Sequence, residues 1–328
     1  KTIPTVLPNI KYFSGYKNFY GNISNSTYEF YNIFREKSNT THAKKQQKLS
    51  HKFNLTKEVI NYSSRIHLNA EIYNQAFNTE NKLINNNNYT TGSYYRFFPM
   101  LGITSETPFK IKKFKTDLTF HPKVNLVVTP GISNSSKISN EDSSNNSFSL
   151  ENFNSLNRYT GTDKMDNSQR INYGFDISNE KINVNLSQSY EFSKNSNFHI
   201  EQGNDDYLSD MLGSAEYNGD NGARYGFRYD FNDELLKEQN VNLWSNSFIG
   251  SFNISYLDLK SKENNIITQD TETLNYSFLS EKFNFSKLNI SGLYDLKKEI
   301  NTEYNIGYSY FDECFGINLD FNRKSYEE

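Results

Sequence analysis

Side chains able to do chemistry are few in this chain, and their spacing says what chemistry is open to them. His42, His51, His67, His121 and His199 are scattered, and none is paired at metal-ligand spacing. No glycine-rich phosphate loop and no serine-centred elbow is present. His67 lies on a predicted strand without a partner that would make it a base, so it reads as a lumen or interface residue. The densest charged run is elsewhere. Asn140, Glu141 and Asp142 open it; Asn157, Arg158, Gly161, Asp163, Lys164 and Arg170 follow. The adjacent carboxylates Glu141 and Asp142 read as a solvated turn, with a cation site as the alternative. Arg158, Asp163, Lys164 and Arg170 alternate in sign. Ion pairing that folds the segment back on itself is the favoured reading. Contact with an anionic sugar or phosphate, or with a second protein, is the other. Gly161 permits a positive φ and so marks a tight turn. Cys314 is the lone cysteine; it reads as a buried hydrophobe, or as half of a disulfide to a partner outside the chain. No catalytic group, metal site or cofactor follows, so the chain is not expected to be an enzyme.

The elements that must position this run are strands. Just after it, Ile171, Tyr173, Phe175 and Ile177 alternate with Asn172, Gly174, Asp176 and Ser178, giving one apolar and one polar face. The same alternation predicts strands over 9–20, 24–34, 48–59, 63–75, 91–101 and 113–129. It predicts ten more over 168–178, 181–192, 207–217, 223–231, 236–245, 250–258, 273–281, 287–297, 301–311 and 315–323. Pro122 falls inside one of them and predicts a bulge or local irregularity. The long connections are 35–47, 76–90, 131–167, 193–206 and 259–271, all on one parity, while tight turns such as 179–180 and 246–249 hold the other. In a meander, parity is an end of the sheet. One end with long loops and one with short turns is the pattern of an outer-membrane barrel. The segment 102–112 is a longish connection on the short side.

Composition agrees. No run of about 18 apolar residues could form a transmembrane helix, but barrel strands need none. Aromatic residues make up 16% of the 328 residues, enough for an interfacial girdle or a sandwich core. Trp244 belongs in such a girdle. A net charge of −3, without a basic cluster, argues against nucleic acid. The fold expected is all-β: an antiparallel up-and-down transmembrane β-barrel of about 16 strands. The apolar positions Ile182, Val184, Leu186, Tyr225, Phe227 and Tyr229 are expected to face lipid. Another outer-membrane barrel (a porin or receptor) and a secreted β-sandwich adhesin are the alternatives.

Three stretches carry a resemblance to one family. The acidic opening Asn140-Glu141-Asp142 leads through Asn152-Phe153, then Asn157-Arg158-Tyr159, Gly161 and Asp163-Lys164, to the strand starting at Arg170. Just before it stands His121-Pro122-Lys123-Val124, running to Pro130. Near the end come Asp312-Glu313-Cys314, Leu319 and Arg323-Lys324. In this order they resemble the LPS-assembly protein LptD. Lys164 stands where arginine is usual, and Gly316 lies earlier than usual. The resemblance implies a Gram-negative outer-membrane barrel that inserts lipopolysaccharide into the outer leaflet. Its implied partners are an LptE-like lipoprotein plug, periplasmic LPS-bridge proteins and lipopolysaccharide itself. It implies that residues 1–328 are one C-terminal barrel portion of a barrel of about 26 strands, without its first strands and the N-terminal periplasmic jellyroll. It implies that Cys314 bonds to the periplasmic domain. The loop 131–167, carrying Phe148, Leu150, Phe153, Leu156 and Tyr159, is expected to fold inward, with Arg158 and Asp163 in internal pairs, and to contact plug or lipopolysaccharide.

Overall fold

A computed structural model describes residues 3–85, 88–112, 117–144, 148–193, 207–263, 266–283 and 285–325. Every regular element among them is a β-strand. Before the long loop come β1 (Thr5–Phe13), β2 (Lys17–Phe19), β3 (Asn22–Phe34), β4 (Lys45–Asn61), β5 (Ser64–Asn85), β6 (Asn88–Glu106), β7 (Phe109–Ile111) and β8 (Leu118–Val128). After it come β9 (Arg170–Ser178), β10 (Ile182–Glu191), β11 (Met211–Tyr217), β12 (Asn221–Asp230) and β13 (Leu235–Asn246). The last are β14 (Ser251–Glu263), β15 (Ile266–Phe283), β16 (Ser286–Asp295), β17 (Ile300–Phe311) and β18 (Gly316–Lys324). All 18 belong to one antiparallel sheet with up-and-down connections.

The difference between the expected count and 18 has a local cause in two places. The strand expected over 9–20 is broken at Ser14–Tyr16, where Gly15 takes φ 71° and the Ser14 amide still reaches Ser26 O at 2.9 Å. Its two pieces, β1 and β2, lie on the same partner, β3. The second break turns the connection 102–112 into strand. β6 runs to Glu106, and β7 follows after Pro108, both along β8. Pro108 and Pro122 are the residues without an N–H at this break. The irregularity expected from Pro122 is therefore a gap in the facing strand, bridged by Thr107 N to Pro122 O at 3.3 Å.

Two of the five long connections are not loops. Residues 76–85 and 88–90 extend β5 and β6 as a ribbon, with Thr79 still paired to Gly92. Residues 259–263 and 266–271 extend β14 and β15, pairing Lys260 with Asp270. Their few apolar residues, such as Phe77, Leu83 and Ile267, keep no regular alternation with polar ones, so no apolar pattern marked them as strand. The stretch 194–206 lies outside the described residues.

Contacts divide the chain into two compact units. The first comprises Lys1–Pro108, Pro122–Tyr173 and Ser189–Leu208; the second comprises Phe109–His121, Gly174–Gln188 and Ser209–Glu328. In the second unit, Ile182 and Tyr225 are exposed, and Val184, Leu186, Phe227 and Tyr229 are half-buried. With one sheet in place of two, no second layer buries them. Rings lie over glycines of neighbouring strands here: Phe227 over Gly213 and Tyr276 over Gly292. Trp244 lies over Gly222 in the same way, with its indole N–H on Gly219 O at 3.2 Å. By alternation it shares the face of Asn240 and Asn242, not that of Leu243. It therefore does not join the apolar belt expected for it.

Candidate functional site

Alternation in the first unit produces a polar face that the sequence shows only in retrospect. Gln46, Lys48 and Ser50 on β4 share it with Tyr73, Gln75, Phe77 and Thr79 on β5. Arg96, Phe98 and Met100 on β6, and Asn125 and Val127 on β8, continue it. All of these are buried, and the segment 131–167 covers them. The other face stays open: Leu49, Tyr95, Phe97, Leu101 and Ile103 are exposed. Polar side chains facing inward and apolar ones outward invert the arrangement of a soluble sheet.

The first cluster is centred on Lys48. Its ammonium donates to Asp163 at 2.7 Å, to Asp142 at 3.1 Å and to Thr162 Oγ1 at 2.6 Å. Asp163 also accepts from Tyr31 OH at 3.0 Å and from the Glu141 amide at 2.7 Å. Asp142 accepts from the amides of Thr162 at 3.0 Å and Asp163 at 2.8 Å. Glu141 pairs with Arg35 and accepts from Ser139. Gln46 donates to Ser139 O at 2.9 Å and accepts from the Ser139 amide at 2.8 Å. Arg96 and Gln75 donate to Thr162 O at 2.6 and 3.0 Å. The two carboxylates differ electrostatically. Burial pushes Asp163 up from its ordinary range, against the pull of Lys48 and with the push of Asp142. Burial also raises Asp142, but Lys48 and the amides on its oxygens outweigh that and hold it low.

A second cluster lies further along the loop. Arg158 binds Asp166 through Nε at 2.5 Å and Glu191 through Nη2 at 2.7 Å. Arg170 reaches the same Asp166 at 3.2 Å and Ser155 O at 2.6 Å. Ser168 donates to the second oxygen of Glu191 at 2.6 Å. These five residues are fully or almost fully buried. Burial raises Asp166, yet Arg158 and Arg170 together hold it below the ordinary carboxylate range. The loop also makes apolar contacts with the sheet. Leu156 and Met165 pack with Tyr73, Phe98, Met100 and Val127. A side chain at Gly102 would collide with Leu156. Asn125 and Asn172 both donate to Phe153 O, at 2.8 and 2.6 Å.

The expected residues fall as follows. Asn140 closes a turn on Ser143, with its amide on Ser143 O at 2.6 Å. Asn157 Oδ1 accepts from the Asp166 amide at 3.0 Å, and its amide donates to Gly161 O at 3.1 Å. Arg158 and Asp163 have internal partners, but not each other. Arg158 is met by Asp166 and Glu191, and Asp163 by a strand lysine, so the segment is tied to the sheet as well as to itself. Lys164 stands over the Tyr159 ring, with its ammonium 5.8 Å from the centroid. Gly161 does not take a positive φ. It is required because a Cβ there would fall on the Asp142 backbone, 2.5 Å from its carbonyl carbon. The carboxylates weighed as a cation site are already met by Arg35 and Lys48. Cys314 is exposed and carries a free thiol, in place of the buried position considered for it.

Sequence reasoning missed Lys48, Arg35, Gln46, Gln75, Arg96, Asp166 and Glu191. The available signal was the run of polar residues at alternate positions of β4, Gln46, Lys48, Ser50 and Lys52, which is the mark of a polar wall; Arg35 and Asp166 lie outside the strands and carried none.

A meandering antiparallel sheet, with one open apolar face and a polar face closed by its own loop, is the wall of an outer-membrane β-barrel. Comparison with protein families gives the particular one. The family described as LPS transport system D, LptD, matches residues 1–300, and the chain belongs to that family. Its function is thus lipopolysaccharide transport and assembly, in a family of outer-membrane proteins. No curated protein matches the chain.

Proposed function

We propose that this chain forms part of the barrel that inserts lipopolysaccharide into the outer leaflet of the outer membrane of a Gram-negative bacterium, with an LptE-like lipoprotein as its plug. In this reading the segment 131–167 braces the plug and borders the exit route. The carrying observation is the double tether: one buried cluster at Lys48 and another at Arg158 hold the segment on the polar face. A loop that served only to cover the surface would need neither. In this reading the periplasmic bridge proteins act through a periplasmic domain, to which Cys314 is the disulfide candidate.

Arg158→Glu places a third carboxylate against Asp166 and Glu191 and repels both. It is expected to lower recovery of the LptE-like plug on co-purification, and to lower surface lipopolysaccharide, with barrel insertion retained. Full plug recovery together with unchanged surface lipopolysaccharide overturns the role of the loop.

A further inference from the structure

We infer that Lys48 is the positioning residue that holds the 131–167 segment on the barrel wall, acting through charge on Asp142 and Asp163 together. The inference rests on the proposed role of that segment, and deepens it by naming what keeps the segment in place.

Three observations carry it. First, the Lys48 side chain has no exposed surface, and its ammonium meets the two carboxylates, Thr162 Oγ1 and, at 3.9 Å, Glu29. A buried ammonium needs such compensation, and it finds most of it on one loop. Second, Asp142 and Asp163 stand 21 residues apart on the same segment and are adjacent in space. They belong to the two legs of the segment, which cross where Gly161 passes Asp142. One strand lysine thus clamps both legs at their crossing. Third, the neighbouring cations are engaged elsewhere. Arg35 takes Glu141, Arg96 takes the carbonyls of Thr162 and Asp163 with Gln75, and Lys82 takes Thr40 O and Ser136 O. None of them is placed to replace Lys48 between the two carboxylates. Rings of Tyr31 and Phe77, with centroids 5.2 and 5.9 Å from the ammonium, close the site on the strand side. Removing the positive charge leaves the Asp163 carboxylate, whose side chain has no exposed surface, without its cation and beside Asp142, whose side chain is already part-exposed. The relief open to Asp163 is for its leg to lift from the wall and reach water.

The test uses the full-length protein with its plug, purified in detergent. Lys48→Gln keeps length and polarity but removes charge. It is expected to raise the rate of proteolytic cleavage within 131–167 on the order of a hundredfold, the scale for breaking a buried pair. The heat-modifiable mobility of the folded barrel should stay unchanged. Adding Asp163→Asn to Lys48→Gln removes the stranded charge and should restore protection. A merely space-filling lysine would not give that recovery. Unchanged protection in Lys48→Gln overturns the inference, as does failure of Asp163→Asn to rescue it while the barrel remains folded. Loss of the folded band in Lys48→Gln also counts against it, because the lysine would then hold the sheet and not the loop. Plug recovery is read in parallel. Cleavage that rises while plug and surface lipopolysaccharide are unchanged leaves Lys48 as the clamp and removes the proposed function of the loop.

Discussion

Gly161→Ala tests whether the crossing of the two loop legs is as tight as it stands in the structure. The added Cβ would sit 2.5 Å from the carbonyl carbon of Asp142. Carbon atoms in good contact lie about 3.5–4.0 Å apart, so one leg must retreat by roughly 1 Å. Rotation of the Asp142 side chain cannot relieve this, because the obstructing atoms include backbone. The retreat pulls the Asp142 carboxylate from the amides of Thr162 and Asp163, now at 3.0 and 2.8 Å. Overpacking of this kind costs about 1–3 kcal/mol, equivalent to roughly a fivefold to hundredfold larger population of the released loop. Gly131→Ala is the contrast. Gly131 has φ 78° with nothing within 4 Å of the added atom. Its cost is backbone strain alone, about 1 kcal/mol, at a point outside both clusters. Rates of proteolysis within 131–167 on folded protein measure both. Gly161→Ala should be cleaved faster than wild type, and faster than Gly131→Ala. Equal protection of Gly161→Ala and wild type refutes the tight crossing and, with it, the reason given for a glycine there.

Two further outcomes follow from the charges and the thiol. Asp166 has its carboxyl held low by Arg158 and Arg170. Its contribution is therefore complete above the unfolded value of about 3.9 and is lost only as pH falls through the lower folded value. Asp163, raised by burial, acts in the opposite sense and is relieved by acid. Loop protection followed by proteolysis with an acid-active enzyme should thus persist to about pH 4 and fail below it; release at pH 5 to 6 would show that Asp166 is not held low. Cys314, exposed and free in this chain, should react with a maleimide at the rate of an open thiol. In full-length protein, non-reducing electrophoresis should separate wild type from Cys314→Ala; identical mobility argues against a disulfide at this position.

Period-two alternation was enough to show an all-β meander from the sequence alone. Ile182, Val184 and Leu186 against Asn183, Asn185 and Ser187 could have no other regular reading, and the observed β10 matches. Residue order also made the 131–167 segment and its family legible, because Asn140-Glu141-Asp142, Arg158, Gly161 and Asp163 are close in the chain. What could not be read was any relation between residues far apart in sequence. Lys48 meets Asp163 across the fold only because β4 turns its even-numbered side chains inward beneath the loop. Glu191 meets Arg158 only because β10 ends beside it. The ribbon at the end of β5 and the start of β6 was hidden too, because its few apolar side chains keep no regular alternation while its backbone ladder leaves no mark in the sequence. Gly161 shows the division most plainly. The sequence marked it as special for its freedom in φ, and the tertiary structure decided that its missing side chain, at the crossing with Asp142, is what matters.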